Sequence, residues 1–133
     1  MFIINYKVVI FKHYTLSIPI IICVGIIILD QITKIVVQQW MTLHVSYGIL
    51  GDVIQLTYIR NPGAAFGIML GGRWFYLVLS SIACIVMIYY LTKLPPEEHT
   101  GRYAMMAILG GAFGNLIDRI FYGEVTDFID IGF

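Results

Sequence analysis

Three apolar segments, each close to the length of a bilayer crossing, dominate this chain of 133 residues. A membrane-spanning helix needs roughly 20 mainly apolar residues. Apolar residues make up 59% of the chain and charged residues 12%, whereas soluble domains average roughly 45–50% and 25%. The sequence therefore predicts an all-α integral membrane protein with three transmembrane helices. They run from about Leu16 to Leu29 with an amphipathic continuation to Trp40, from about Trp74 to Leu91, and from about Tyr103 to Ile120.

Composition also argues against several function classes. The formal net charge is zero, so there is no electrostatic case for binding nucleic acid, which needs a basic surface. The histidines His13, His44 and His99 are scattered without metal-ligand spacing, so we expect neither a metal nor another cofactor. Cys23 and Cys84 lie inside apolar runs, which is typical of packing residues rather than of a disulfide or a reactive thiol.

The connection between the first two segments has the composition of β-structure. Residues from His44 to Ile59 are rich in β-branched and aromatic types, and Gly51-Asp52 interrupts them as a hairpin turn does. This pattern predicts two short strands. Open sheet edges cannot face hydrocarbon, so the strands must lie at the membrane surface or against the helices.

The placement of lysine and arginine predicts the orientation in the membrane. Positive charges are enriched on the cytoplasmic side of membrane proteins. The first segment is preceded by two lysines, and the second connection, Thr92 to Arg102, is flanked by Lys93 and Arg102. We therefore expect that connection in the cytoplasm and the strand region outside, although three arginines on the outer side weaken the bias: Arg60, Arg73 and Arg119.

Polar residues on the third segment are unusual at membrane depth, where a charge costs a few kcal/mol or more. Asn115, Asp118 and Arg119 fall at i, i+3 and i+4, which places them on one helical face. One interpretation is structural: Asp118 neutralises Arg119, and neighbouring helices satisfy Asn115. The other interpretation is that the group takes part in chemistry.

Further carboxylates stand near the segment ends. Asp30 precedes Lys34 by four residues, the favourable order for a helical ion pair. Asp127 lies beyond the third segment, and Asp130 would point to the opposite face if this piece is extended. Two close carboxylates that share a proton can activate water and polarise a peptide carbonyl. The spacing therefore permits an aspartyl hydrolase without establishing one.

Four blocks of residues together resemble the lipoprotein signal peptidases, also called type II signal peptidases. The resemblance extends from about Leu16 to the end and preserves the order of the blocks between the apolar segments. The blocks are Asp30-Gln31-x-Thr33-Lys34, Asn61-x-Gly63-Ala64-Ala65-Phe66, Gly110-Gly111-Ala112-x-Gly114-Asn115-x-x-Asp118-Arg119 and Val125-x-Asp127-Phe128.

This resemblance implies a fold, an activity and a location. Family members are intramembrane aspartyl endopeptidases of the bacterial inner membrane, with four transmembrane helices and a small extracytoplasmic sheet beside the active site. They cut diacylglyceryl-modified prolipoproteins just before the lipidated cysteine, so the implied partners are prolipoprotein signal peptides and membrane lipid. The oligomeric state is not indicated.

The resemblance also implies residue roles. Asp127 matches the first catalytic aspartate, and Asn115 and Arg119 match residues that hold the substrate backbone. Asp118 matches a supporting acid, Asn61 a polar residue on the substrate side, and Asp30 a structural or substrate-proximal acid.

One part of the family pattern is missing from residues 1–133. The second catalytic aspartate of the family lies in a Phe-Asn-x-Ala-Asp block at the start of a fourth helix, and this sequence contains no such block. We therefore interpret residues 1–133 as a single, C-terminally incomplete peptidase domain that does not cleave by itself. Two alternatives are a non-enzymatic protein that binds lipidated peptides and a transporter subunit whose acids relay protons.

Overall fold

A computed structural model describes residues 6–51, 53–63, 71–95 and 97–131, with side chains from Ser17 onward. Over these ranges the chain forms three helices and three strands. The helices are α1 (Tyr6–Trp40), α2 (Arg73–Lys93) and α3 (His99–Phe121), and the strands are β1 (Ser46–Leu50), β2 (Ile54–Asn61) and β3 (Val125–Ile131).

Each of the three helices is long and apolar enough to cross a membrane, which confirms the predicted fold class. The spans are Ser17–Trp40, Arg73–Lys93 and His99–Phe121. Two helices begin earlier than expected, since α1 starts at Tyr6 and α3 at His99. The second helix stops at Lys93, just before Pro95-Pro96, because proline disfavours a helical conformation in the residue that precedes it.

Helices α1 and α3 pack closely because α3 presents glycine at the contact. A Cβ atom added at Gly110 would lie 2.8 Å from the Cys23 carbonyl oxygen, and one at Gly114 would collide with the Asp30 carboxylate. Small residues allow such backbone approach between membrane helices. Cys23 and Cys84 are buried together with Met106 and Leu109, so both cysteines are packing residues as predicted.

The strands form one antiparallel sheet in the order β1-β2-β3. The first two strands were predicted, whereas the pairing of β3 with β2 was not. Asn61 faces Val125 at one end of this pairing and Ile54 faces Ile131 at the other, with a bulge in β2 between Leu56 and Ile59. The turn residue Gly51 has a φ of 56°, a conformation that glycine adopts without strain.

The sheet is attached at the C-terminal ends of α1 and α3. Gln38, in the last turn of α1, donates a hydrogen bond from Nε2 to Thr126 Oγ1 at 2.8 Å. The first residue of α2, Arg73, lies beside the C-terminal end of α3. Its guanidinium donates a hydrogen bond to the Ile120 carbonyl oxygen at 2.7 Å. At the other end, Arg102 donates to the carbonyl oxygens of Leu94 and Pro95 and holds the α2–α3 connection.

The close approach of α1 and α3 predicts opposite effects of alanine at two adjacent glycines. Gly110→Ala should destabilise the protein by about 1–3 kcal/mol, because the new methyl group overpacks the contact. A methyl group at Gly111 would have nothing within 4 Å, so Gly111→Ala should be neutral or slightly stabilising. Reversible unfolding in mixed detergent micelles measures both. Equal losses for the two variants would contradict the packing described above.

Candidate active site

A buried ion pair joins α1 to α3 at the level of the polar residues. Lys34 Nζ lies 2.9 Å from Asp118 Oδ2 and 2.8 Å from Asp30 Oδ2. The same nitrogen donates to Asn115 Oδ1 at 2.9 Å. Only 3% of Lys34 and 1% of Asp118 are exposed. An ammonium group has three donors, and here each has an oxygen partner, which is what a buried charge requires.

The helical periodicity of α1 places its polar side chains on the face that meets α3. Asp30, Lys34 and Gln38 are spaced by four residues and therefore share one face. Gln31 stands beside them and donates from Nε2 to Asp118 Oδ1 at 3.0 Å and to the Gly114 carbonyl oxygen at 3.2 Å. Because Gly114 has no side chain, the Asp30 carboxylate can lie against the α3 backbone.

Asp118 also fixes the chain where it leaves α3 and enters the sheet. Its carbonyl oxygen accepts from the backbone N–H groups of Tyr122 and Gly123 at 2.7 and 3.1 Å. Gly123 has a φ of 83°, which favours glycine. The Asp118 carboxylate then accepts from the Thr126 N–H at 3.1 Å. Two helices therefore hold Thr126, the residue directly before Asp127, since Gln38 binds its hydroxyl group.

Asp127 lies in a second, half-buried group with Asn61 and Arg119. Asn61 Nδ2 donates to Asp127 Oδ2 at 2.8 Å, and Asn61 Oδ1 accepts from the Gly63 N–H at 2.9 Å. Arg119 donates to the Gly63 carbonyl oxygen at 3.1 Å, and its charge is attracted by the Asp127 carboxylate. The end of β2, the start of β3 and the last turn of α3 meet at this group.

Asp130 is separate from that group. Thr57 Oγ1 donates to Asp130 Oδ2 at 3.0 Å and also contacts Ser46 Oγ at 2.8 Å. This contact puts Asp130 on the face of the sheet opposite to Asp127, as the alternation of an extended strand predicts. In the described part of the chain, neither Asp118 nor Asp130 shares a hydrogen-bond partner with Asp127, since Asp118 accepts from the Thr126 N–H and Asp130 accepts from Thr57.

The end of β2 that lies beside the site carries a further cation, Arg60. Arg60 donates from Nε to the hydroxyl group of the buried Tyr58 at 3.2 Å. This hydrogen bond, together with the nearby Glu124, raises the pKa of Arg60 above its usual value.

The structure separates the six residues that the sequence proposed into two groups. Asp30, Asp118 and Asn115 surround Lys34 in the buried group, and Asn61, Arg119 and Asp127 form the half-buried group. The predicted Asp30–Lys34 pair is confirmed. The structural interpretation of this face is confirmed for Asn115, whose Oδ1 accepts from Lys34 of the neighbouring helix α1. It is corrected for Asp118, whose ion pair is with Lys34 rather than with Arg119.

Sequence reasoning missed two residues of this region, Gln38 and Thr126. The spacing of Gln38, four residues after Lys34, was a usable signal for its place on the polar face. Thr126 had no such signal, because its role depends on a backbone N–H that meets α3 only in the folded chain. The block residues Ala64, Ala65 and Phe66 lie outside the described residues.

The fold and this site define a class of protein. Three helices can cross a membrane, and carboxylates, amides and an arginine gather where two of these helices meet a small sheet. This is a multi-pass membrane protein with a polar site at the end of its helices.

Comparison with known proteins identifies the family within that class. The sequence model of signal peptidase II, the peptidase family A8, matches residues 22–133. The chain therefore belongs to the signal peptidase II family, which is a family of proteases.

Individual relatives agree with this assignment. The chain is 44% identical over 110 residues to the lipoprotein signal peptidase of Halalkalibacterium halodurans, with 83% of this chain and 70% of the relative covered. It is 41% identical over 114 residues to the lipoprotein signal peptidase of Caldanaerobacter subterraneus, with 86% of this chain and 78% of the relative covered. A solved bacterial membrane enzyme, 33% identical, superposes with a TM-score of 0.77 over 87% of this chain and 71% of its own.

Removing the shared cation of the buried group should be costly. Lys34→Met leaves the buried Asp118 and the partly exposed Asp30 without a counter-charge, and we expect a loss of about 3–5 kcal/mol of stability. Lys93→Met is the matched control, because Lys93 is exposed and contacts only the Tyr89 ring among the described interactions. Thermal unfolding in detergent checks the pair. A Lys34→Met protein as stable as the control would show that the buried pair has little structural weight.

Proposed function

We propose that this chain acts in the removal of signal peptides from diacylglyceryl-modified bacterial prolipoproteins. The reaction is an intramembrane aspartyl endopeptidase cleavage just before the lipidated cysteine, and Asp127 supplies one of the two catalytic carboxylates. The observation that carries the proposal is the hydrogen bond from Asn61 to Asp127, beside Arg119, at the point where the sheet joins the membrane helices.

The chemistry of this proposal needs a pair of carboxylates. One ionised aspartate takes a proton from the attacking water, while a protonated partner donates to the peptide carbonyl. Like charges at contact distance resist joint ionisation, so one proton is shared between them. Asp127 is suited to such a role because its contacts leave it half-buried and accepting from an amide rather than locked in an ion pair.

The second carboxylate of the pair comes, in this proposal, from a Phe-Asn-x-Ala-Asp segment such as the resemblance implies. Residues 1–133 do not contain that segment. Asp130 is a poor substitute, because it contacts Thr57 on the other face of the sheet. Asp118 is equally unsuited, because it is 1% exposed and paired with Lys34.

The remaining polar residues divide into substrate-holding and positioning roles. Arg119, with its amide neighbours Asn115 and Asn61, offers donors that can hold the carbonyl groups of an extended peptide. For Asp118 and Asp30 we propose positioning rather than substrate contact, since Lys34 occupies both carboxylates. Asp118 acts on Asp127 through the Thr126 N–H.

A second candidate function is the binding of lipidated peptides without cleavage. It is favoured by one observation: in the described part of the chain, no hydrogen bond or ion pair joins Asp127 to another carboxylate. The two functions differ in their products. Cleavage gives a shortened lipoprotein, whereas binding alone gives a complex that releases intact substrate.

The catalytic assignment predicts unequal effects of two isosteric substitutions. The test uses the chain joined to the Phe-Asn-x-Ala-Asp segment and fourth helix of a lipoprotein signal peptidase, in cells that lack their own enzyme. Asp127→Asn should reduce prolipoprotein processing by at least about 10²-fold, because it removes a general acid–base group. Asp130→Asn should leave processing within a few-fold.

Gel separation of precursor and mature lipoprotein gives the rates, and the same assay on residues 1–133 alone should show no mature product. Processing lost in Asp130→Asn and kept in Asp127→Asn would reject the assignment of Asp127. Precursor that co-purifies uncut with the joined protein would favour the binding function.

The proposed location is the inner membrane, with the sheet and Asp127 on the outer side. Tyr47 on β1 and Glu98 in the α2–α3 connection are both exposed and stand at opposite ends of the helices. In intact cells, a cysteine at Tyr47 should react with a membrane-impermeant maleimide, and a cysteine at Glu98 should react only after lysis. The reverse pattern would show the opposite orientation.

A further inference from the structure

A short turn joins α3 to the strand that carries Asp127. It consists of residues 122–124, and its middle residue, Gly123, has a φ of 83°. Asp118 holds one side of this turn through its carbonyl oxygen and its carboxylate. Because Asp127 lies four residues beyond Gly123, any loosening of the turn moves the Asp127 carboxylate. The contacts on the other side of the turn therefore bear on the geometry of the site.

Arg73, the first residue of α2, contacts that other side. Its Nη2 donates to the carbonyl oxygen of Ile120 at 2.7 Å. This oxygen is one of the last four carbonyl groups of α3, which have no intrahelical partner. The hydrogen bond is charge-assisted, and a cation is favourable at the C-terminus of a helix. Arg73 therefore ties the beginning of α2 to the end of α3.

The same side chain lies against Gly123. A Cβ atom added at Gly123 would lie 3.1 Å from Cδ and 3.3 Å from Nε of Arg73. The Trp74 ring is a further neighbour, with its centroid 5.5 Å from Cζ of Arg73. Arg73 is exposed on one side, yet its guanidinium has a defined place between α2 and the turn.

The beginning of α2 is itself fixed beside the site. The Gly72 carbonyl oxygen accepts from the N–H groups of Phe75 and Tyr76, which closes the first turn of the helix. Tyr76 is 2% exposed and is close enough to Arg119 to interact with its charge. A side chain that extends from a packed helix can hold its neighbours more precisely than one on a loop.

We propose that Arg73 is a positioning residue for Asp127, which it serves by holding the α3–β3 turn against the beginning of α2. This role rests on the proposed function, because it takes Asp127 as a catalytic carboxylate. In the described part of the chain, the interactions of Arg73 are with Ile120, Gly123 and Trp74. Arg73 therefore acts through the backbone of the turn.

Loss of Arg73 should slow the reaction more than it weakens substrate binding. A misplacement of about 1 Å can cost on the order of 10²-fold in rate. The Asp118 contacts remain when Arg73 is removed, so the turn loosens without unfolding, and we expect kcat to fall about 10-fold. KM should stay within about two-fold, because Arg73 supplies no contact to the substrate in this proposal.

Steady-state kinetics of the joined protein, the chain with the added fourth helix, measures this effect. Arg73→Ala removes the contact, and Arg73→Lys keeps a charged donor for the Ile120 oxygen. Lys93→Ala is the matched control, because Lys93 is the basic residue at the other end of α2 and lies over the Tyr89 ring as Arg73 lies near Trp74. The alanine variant of Arg73 should lose kcat, the lysine variant should lose less, and the Lys93 variant should match the parent.

Rescue by guanidinium separates a positioning role from a merely structural one. Arg73 borders an open cleft whose other walls include Pro62, Tyr122 and Glu124, so a free guanidinium ion can reach the vacated place. Millimolar guanidinium chloride should restore part of the lost kcat in Arg73→Ala, and sodium chloride at the same ionic strength should not. An unchanged kcat in Arg73→Ala would overturn the proposal, even with a lower melting temperature. So would a loss of kcat that neither lysine nor guanidinium reduces.

A distance measurement on residues 1–133 tests the contact without any peptidase activity. Spin labels on cysteines at Ile108 in α3 and Ile129 in β3, both exposed, report on the turn by pulsed electron paramagnetic resonance. The two native cysteines are buried, and the unsubstituted chain gives the background labelling. The distance distribution should broaden in Arg73→Ala and stay narrow in Lys93→Ala. If circular dichroism shows that Arg73→Ala does not fold, Arg73→Gln takes its place.

The two measurements also distinguish this proposal from the proposed function. An unchanged distance distribution in Arg73→Ala would reject the positioning role, whatever the activity of the joined protein. An inactive joined protein whose distance distribution broadens on loss of Arg73 would reject the peptidase function and keep the role of Arg73 in holding the turn.

Discussion

The ion pair between Lys34 and Asp118 is the contact on which the rest of this structure depends. Two charges removed from water are expensive unless their remaining hydrogen-bonding positions are filled. Here Asp30 and Asn115 take the other donors of Lys34, and Gln31 donates to the second oxygen of Asp118. This complete set of partners fixes the rotation of α1 against α3, because a small rotation of either helix would leave a charge buried without a partner.

The position of Asp127 follows from that pair through one backbone N–H. Asp118 accepts from Thr126, so the strand that carries Asp127 begins at a place set by the buried charges. Asp127 itself stays outside the ion pair and is held by the Asn61 amide. The polar residues are thus divided into a buried group that fixes the start of β3 and a half-buried group around Asp127. The catalytic role proposed for Asp127 requires such a defined position.

The sheet builds half of the half-buried group. Its three strands come from two distant parts of the chain, and the pairing of β2 with β3 brings Asn61 beside Asp127. The polar site therefore lies where the sheet joins the helices, in a chain that belongs to the signal peptidase II family.

The sequence by itself determined the elements that depend on local or additive properties. Hydrophobic length gave the three membrane helices, β-branched composition gave β1 and β2, and the spacing of Asp30 and Lys34 gave their ion pair. Motif order gave the family. Each of these signals lies within a continuous stretch of the chain, so no knowledge of distant contacts was needed.

Tertiary structure alone decided which polar residues meet. One interpretation of the sequence paired Asp118 with Arg119, its neighbour in sequence, but the ion pair of Asp118 is with Lys34, which lies 84 positions earlier in the numbering of the chain. The pairing of β3 with β2 and the contact of Gln38 with Thr126 were likewise not predicted. All three depend on how α1 and α3 pack, and that packing is set by glycine contacts and buried charge balance rather than by the propensity of any one segment.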